Sequence, residues 1–344
     1  MLSRRGSVLL LVSGFLTLGI AATARAQDQS PAPSGPSLNF PAGLATDGTS
    51  VYVANSRNNT IVRVDIASHG IGALAGQQFK AGSNDGSGAG AMFSSPDGLA
   101  LVGNSLYVAD TENSDIRKVD VSGAVVTTIA GTANIAGSEN SGEGLEPHFN
   151  LPTQIASDGT FLYVADTGNS TIRKIDLASK KVSTIGGQPG TDGKDDGPAT
   201  KSTYNHPRGI ATDGKFVYVA DTANQLIRKI DLSSAATTTF AGQAGVQSMQ
   251  DGVGAAATFN NPEALACDGT NLFLADSDNQ AIRKITLTDG TVSTITQVNG
   301  HIGSGITVSK DGSTIYFSDT TSNAVQRLDV ASKNVTPLAP LSGP

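Results

Sequence analysis

The chain has 344 residues, among them 40 Gly, one Cys and no Trp, and carries a formal net charge of −7. One Cys excludes an internal disulfide or a Cys-based zinc cluster, four His leave little for a multi-histidine metal centre, and 15% charged residues exclude an ionic coiled coil. So many Gly with so few charges favour turns and tight strands, and therefore an all-β fold.

Residues 1–26 read as a signal peptide. Arg4 and Arg5 precede an apolar run from Val8 to Ala22, and Ala24-Arg25-Ala26 supplies a small-x-small cleavage pattern. The Ser3-Arg4-Arg5 start leaves general and twin-arginine export both open. The run is too short for a structural membrane span, and no second one follows, so the expectation is a periplasmic or secreted protein. Residues 27–40 form a Pro/Ser-rich linker. Cleavage would remove three Arg and no acid, taking the net charge to −10. That balance argues against a nucleic-acid partner, which needs a basic face.

From 41 to 340 one unit recurs six times, starting near Pro41, Pro96, Pro152, Pro207, Pro262 and Gly303. An aromatic marks each copy: Tyr52, Tyr107, Tyr163, Tyr218, Phe273 and Tyr316. Each unit predicts four strands. Strand a follows the Pro, and an Asp-Gly turn (Val102-Gly103 in the second copy) leads to strand b. Strand b is apolar at successive positions, so both of its faces should be buried. An Asp-Thr-x-Asn turn leads to strand c, Ile-Arg-Lys-Ile-Asp, and strand d ends at Ala-Gly. Six four-stranded units, each apolar on both faces, fit a six-bladed β-propeller, closed by joining blade one to blade six without a swapped strand unless 35–40 adds one.

The motif Asp-Gly-x-x-x-Tyr-Val-Ala-Asp-x-x-Asn-x-x-Ile-Arg-Lys resembles the NHL repeat. The Gly-x-Gly-x-x-Ala-x-Phe-x-x-Pro connectors are similar to those of its secreted bacterial members. The resemblance covers nearly all of 41–340 and implies a six-bladed propeller. It implies no single activity, because the family includes binding scaffolds and enzymes.

Residues present in most blades read as scaffold. Asp110, Asp166, Asp221 and Asp276 end strand b, an Asn follows each by three, and Arg117, Arg173, Arg228 and Arg283 follow by seven. These pairs predict a ladder of partly buried ions, within a blade or between neighbours. The first copy has Asn55 and Val62 instead, and the sixth Asp319 and Gln326.

Residues that change between blades read as a site. Asp97, Thr153, Arg208 and Glu263 follow the Pro and should ring the mouth of the central channel. Asn150, Asn205, Asn260 and His301 stand two residues before the Pro position, with His148 and His206 near the same edge. The leading expectation is a monomeric exported scaffold that binds a protein, peptide or glycan on its loop-bearing face. The alternative is a metal-dependent hydrolase or lyase at the mouth, lactonase-like through Glu263, Asn205 and Asp97 or amidating-lyase-like through His148, His206 and His301. No cofactor is expected. Calcium is the one ion left open, through mouth residues or connector acids such as Asp85, Glu143, Asp195, Asp196 and Asp251. Cys267 reads as a small buried thiol. Four connectors are long and Gly-rich, each ending in an aromatic that should plug between blades. The fifth, 297–302, is short, leaving the crown incomplete between blades five and six.

Overall fold

The computed structural model describes residues 36–141 and 146–338. Residues 1–26, read above as a signal peptide, most of the expected linker and Glu143 lie outside the described residues. Among the described residues no helix is long and apolar enough to cross a membrane.

Six antiparallel sheets form six blades, each ordered a-b-c-d from the axis outward. Blade 1 comprises Pro41–Thr46, Ser50–Asn55, Thr60–Asp65 and Ile71–Gly76, and blade 2 Pro96–Val102, Ser105–Asp110, Asp115–Asp120 and Val125–Gly131. Blade 3 comprises Pro152–Ser157, Phe161–Asp166, Thr171–Asp176 and Val182–Gly186, and blade 4 Ile210–Thr212, Phe216–Asp221, Leu226–Asp231 and Ala236–Gly242. Blade 5 comprises Pro262–Cys267, Asn271–Asp276, Ala281–Thr286 and Thr291–Gln297, and blade 6 Ile302–Val308, Thr314–Asp319, Ala324–Asp329 and Val335–Pro337.

Strand b is the buried spine of every blade. Val53, Val108, Val164, Val219 and Leu274 are wholly buried at its centre. The marker Tyr is anchored at its hydroxyl. Tyr52, Tyr163 and Tyr218 donate to Asp47, Asp158 and Asp213 of their own Asp-Gly turns at 2.8–3.1 Å. Those Asp also accept the turn amides, so one carboxylate ties hairpin to strand. Cys267 is half-buried and replaces a turn hydroxyl. Its Sγ accepts the Gly269 amide, as Thr46, Ser157 and Thr212 accept Gly48, Gly159 and Gly214.

Two departures from four plain strands matter for the site. The long connectors run outward over the next blade before returning to the axis. Gly86–Ser87, Gly197–Pro198 and Gly252–Val253 pair with strand d of blades 2, 4 and 5 as fifth strands. They cover an otherwise open sheet edge. The connectors then turn inward, and Phe93, Phe149, Tyr204 and Phe259 are wholly buried between blades, as the sequence predicts.

The ring closes without a swapped strand, since blades 1 and 6 each hold all four of their own. Phe40 donates its amide to Asn323 Oδ1 of blade 6 at 2.7 Å, and Leu38 and Leu338 pack in one cluster with Val62 and Val325. Residues 36–40 bridge the seam as coil.

Candidate functional site

The site rests on a repeated ion-pair lock. Arg117, Arg173, Arg228 and Arg283 are wholly buried and contact Asp110, Asp166, Asp221 and Asp276 of the same blade at 2.6–2.8 Å. The pairing is within the blade because antiparallel b and c strands place these residues on one face. The second Asp oxygen accepts the amide of Ser94, Asn150, Asn205 or Asn260 at 2.7–2.8 Å. Each Asp thus fastens its blade to the segment leading into strand a. Asn150, Asn205 and Asn260, read from sequence as site candidates, thus engage the lock through their backbone amides.

The other guanidinium nitrogen of Arg117, Arg228 and Arg283 holds Asp85, Asp196 and Asp251 of the connector at 2.7–2.9 Å. Arg173 instead takes Asn140 Oδ1 and the Glu139 carbonyl. The aromatic rings of Phe93, Phe149, Tyr204 and Phe259 lie 5.0–5.4 Å from these Arg. Asp85, Asp196 and Asp251, read from sequence as possible calcium ligands, are therefore spent on arginine. Asp195 contributes its backbone carbonyl to Arg228.

Blade 2 departs from the others. Asp115 stands directly opposite Asp110 across strands b and c, where blades 1 and 3 place Thr60 and Thr171. Thr60 accepts the Asn55 side-chain amide, and Thr171 donates its hydroxyl to Asp166. Asp115 is wholly buried, and among the described residues neither of its oxygens has a hydrogen-bond partner. Burial first, then repulsion from Asp110 and Asp85, pushes its carboxyl up to about 7, against the pull of Arg117. Burial likewise lifts Asp110 to about 6, opposed by the Ser94 amide, Asn113 and Arg117.

At the channel mouth the residues after the Pro converge in part. Arg208 Nη1 lies 2.6 Å from Glu263 Oε1, which also accepts Asn261 Nδ2 at 3.1 Å. The Asp97 carboxylate accepts the Ser304 hydroxyl of blade 6 at 2.7 Å, spanning blade 1. Burial raises the Asp97 carboxyl above its ordinary range, with Arg208 and Ser304 opposing. Thr153 shares a 2.7 Å hydrogen bond with Thr167. A cavity of about 410 Å³ opens here, lined by Asp97, Leu151, Thr153, His206, Arg208 and Asn261 among others.

Of the other expected residues, His206 lines this cavity, whereas His148, His301, Asn150, Asn205 and Asn260 do not. His148 bonds Glu139 in a connector, His206 bonds Asn205, and His301 bonds Thr320. The Asn150 amide group donates to Gly168 O. Among the described residues no three His, Cys, Asp or Glu side chains are grouped to hold a metal ion. The set Glu263, Asn205 and Asp97 is divided among Arg208, His206 and Ser304, respectively.

Sequence reasoning missed two features. The residue just before the Pro takes a left-handed backbone in each of five blades: Phe40, Ser95, Leu151, His206 and Asn261, with φ of 48–57°. A residue before Pro favours extended backbone, so this conformation is strained for a side chain such as Leu. Side chains of the preceding blade hold it: Asn59, Ser170 and Gln225 accept the amides of Ser95, His206 and Asn261. Variation at that slot was the available signal. The second is Gln154, which stands where four blades place Gly43, Gly98, Gly209 and Gly305. Its Nε2 donates to the Ser304 carbonyl of the opposite blade and bars the channel. The glycines are required there, because a Cβ on Gly98 would strike the Thr153 carbonyl.

Comparisons with known proteins agree with this architecture. A family model, the LVIVD repeat, matches residues 206–243. NHL repeat-containing protein 2 of Bos taurus is 28% identical over 302 residues, an alignment covering 62% of this chain and 42% of that protein. The chain spans less than half the length of the curated relatives it matches. Among solved structures, a chain of the nidogen/laminin complex superposes with a TM-score of 0.58 at 15% identity, covering 83% of this chain and 92% of that one. A streptogramin B lyase gives 0.58 at 14% identity, covering 90% and 86%. At such identities the superpositions show the fold. The six sheets and their closure define a six-bladed β-propeller. Its repeats are similar to those of the NHL repeat-containing proteins among these relatives.

Two outcomes follow from the lock. Asp221→Ala strands a buried Arg228 and is expected to cost about 3–5 kcal/mol in chemical denaturation, whereas the double variant Asp221→Ala/Arg228→Met should recover a large part of that loss. For Asp115 the folded carboxyl titrates above the ordinary 3.8. The folded chain therefore binds the extra proton, and stability falls as pH rises from about 4 to 7. Asp115→Thr should leave stability nearly unchanged at pH 4 and raise it at pH 8 by roughly 2–4 kcal/mol, measured by urea unfolding at both pH values.

Proposed function

We propose that this propeller is an exported binding scaffold whose ligand, a protein segment, peptide or glycan, seats at the channel mouth on the connector-bearing face. One observation carries the reading. Positions repeated in the blades are consumed by the lock, while the variable positions flanking the Pro meet at one cavity. That cavity combines an apolar wall, Leu151, with Arg208, whose side chain is one-third exposed, and with Asp97, which no arginine or lysine contacts among the described residues. Apolar surface with a few placed polar groups is the usual composition of a binding pocket. Exposed Phe79, Ile135 and Val246 stand on the connectors of the same face. Phe79 has φ of 63°, at the position where the other connectors place Asn134, Gly190 and Gly245. A strained, solvent-facing aromatic supports a contact role.

The Arg208–Glu263 ion pair and the scattered histidines favour this reading over a metal-dependent hydrolase or lyase.

Mouth binding is tested by probing a glycan array and a displayed random-peptide library with the purified chain, then repeating selected hits with Arg208→Ala and Leu151→Asp. Affinity should fall by about tenfold or more in each variant, each shown to remain folded by circular dichroism at the assay temperature. Hits insensitive to both would overturn the mouth assignment. Export is tested separately, by N-terminal sequencing of the chain recovered from periplasm or medium after expression in a Gram-negative host. The expected first residue is Gln27, and retention of Met1 in the cytoplasm would overturn export.

A further inference from the structure

The lock is filled in four blades and empty in one. In blades 2–5 the space between a strand-b Asp, a strand-c Arg and the preceding blade holds an aromatic ring from the connector, 5.0–5.4 Å from the guanidinium. In blade 1 the Asp and Arg are replaced by Asn55 and Val62, and Leu38 and Leu338 pack in the cluster that contains Val62. Blade 6 follows the short connector, and among the described residues neither a connector aromatic nor an arginine reaches the slot. A cavity of about 320 Å³ lies there, lined by Gln297, Val298, Asn299, Phe317, Asp319, Gln326 and Val335.

The lining residues are the register equivalents of the filled slots. Asp319 matches Asp110, Gln326 matches Arg117, Val335 matches Val126 and Gln297 matches Gly76. Phe317, replacing Val108, takes up part of the volume. Asp319 is 6% exposed and meets only neutral donors: the amides of Thr321 and Ser322, the Ser322 hydroxyl and Gln326 Nε2. It is a buried carboxylate without a cation among the described residues, beside an apolar recess.

We propose that this notch between blades 5 and 6 receives an extended segment of a partner protein carrying an aromatic side chain and a nearby Arg or Lys. The ring takes the place that the connector aromatics take elsewhere, and the cation supplies the charge that Gln326 lacks. The four filled slots show the same chemistry satisfied internally. The site is separate from the mouth, so either assignment can fail without the other.

The test uses the full chain and acetyl-Gly-Phe-Gly-Arg-amide as probe, with Phe→Ala and Arg→Glu versions as controls, followed by amide NMR shifts. Saturable shifts at Gln297, Asn299 and Gln326 are expected, weaker by about fivefold or more with either control. Gln326→Arg copies four sister blades and should fold. It should abolish the preference for Arg over Glu in the peptide. Asp97→Ala should leave these shifts unchanged. No saturable shift at these amides up to roughly 10 mM peptide overturns the proposal. So does an unchanged charge preference in Gln326→Arg, or displacement of the same three signals by deleting residues 339–344, which would make the chain's own end the occupant.

Discussion

A buried Asp–Arg pair, repeated in four blades, is the interaction on which the architecture depends. An arginine wholly removed from water is tolerated only when its charge is matched and its donors are used. Here the carboxylate matches it, and a connector acid or carbonyl takes the second nitrogen. Only Nε is left without a partner in all four. Because the carboxylate also accepts the amide leading into strand a, one charge cluster joins strand b, strand c and the connector. Blade 1 shows the neutral solution: Asn55 still accepts the Asn39 amide at 2.7 Å, and Val62 packs with aliphatic neighbours. Acid and base are lost together, so no charge is stranded.

This lock divides the surface into committed and free positions. The connector acids, which in isolation suggest calcium, serve the scaffold. What remains is the ring around the Pro, where Ala42, Asp97, Thr153, Arg208, Glu263 and Ser304 share one backbone position with six different side chains. Such a ring can be altered without disturbing any blade, which suits a scaffold whose specificity is set by single residues. Gln154 adds a floor, so a ligand at the mouth meets a closed cup. The cavity at the opposite end, walled by Leu44, Leu99, Ile155, Ile210, Leu265 and Ile306, is a separate space.

The blade pattern was legible in sequence because it depends on local rules. Asp-Gly turns, the doubly buried strand b and the spacing of seven between Asp and Arg all act within one hairpin. The mouth was legible only as a ring of variable positions. Whether Arg208 would meet Glu263 or Asp97 depends on the angle between blades, which no periodicity encodes. The histidines show the same dependence: proximity in repeat position placed His148, His206 and His301 near one edge, where His206 lines the cavity and each bonds a local partner. The fifth strands were hidden because Gly86–Ser87 and its equivalents have no strand pattern of their own and pair only because Asp85, Asp196 and Asp251 are drawn to the arginines. The left-handed residues before Pro oppose the local preference and are held by the preceding blade, so tertiary structure overrides the dipeptide.

Native-state hydrogen exchange tests the central claim most directly. If the carboxylates fasten the connectors to the blades, the amides of Ser94, Asn150, Asn205 and Asn260 exchange only through global unfolding, although all four lie outside regular strands. The amide of His301, in blade 6, bonds the Thr321 hydroxyl instead of a carboxylate and should exchange by faster local opening. Exchange of the four Asp-bonded amides at the rate of their exposed connector neighbours would contradict the account.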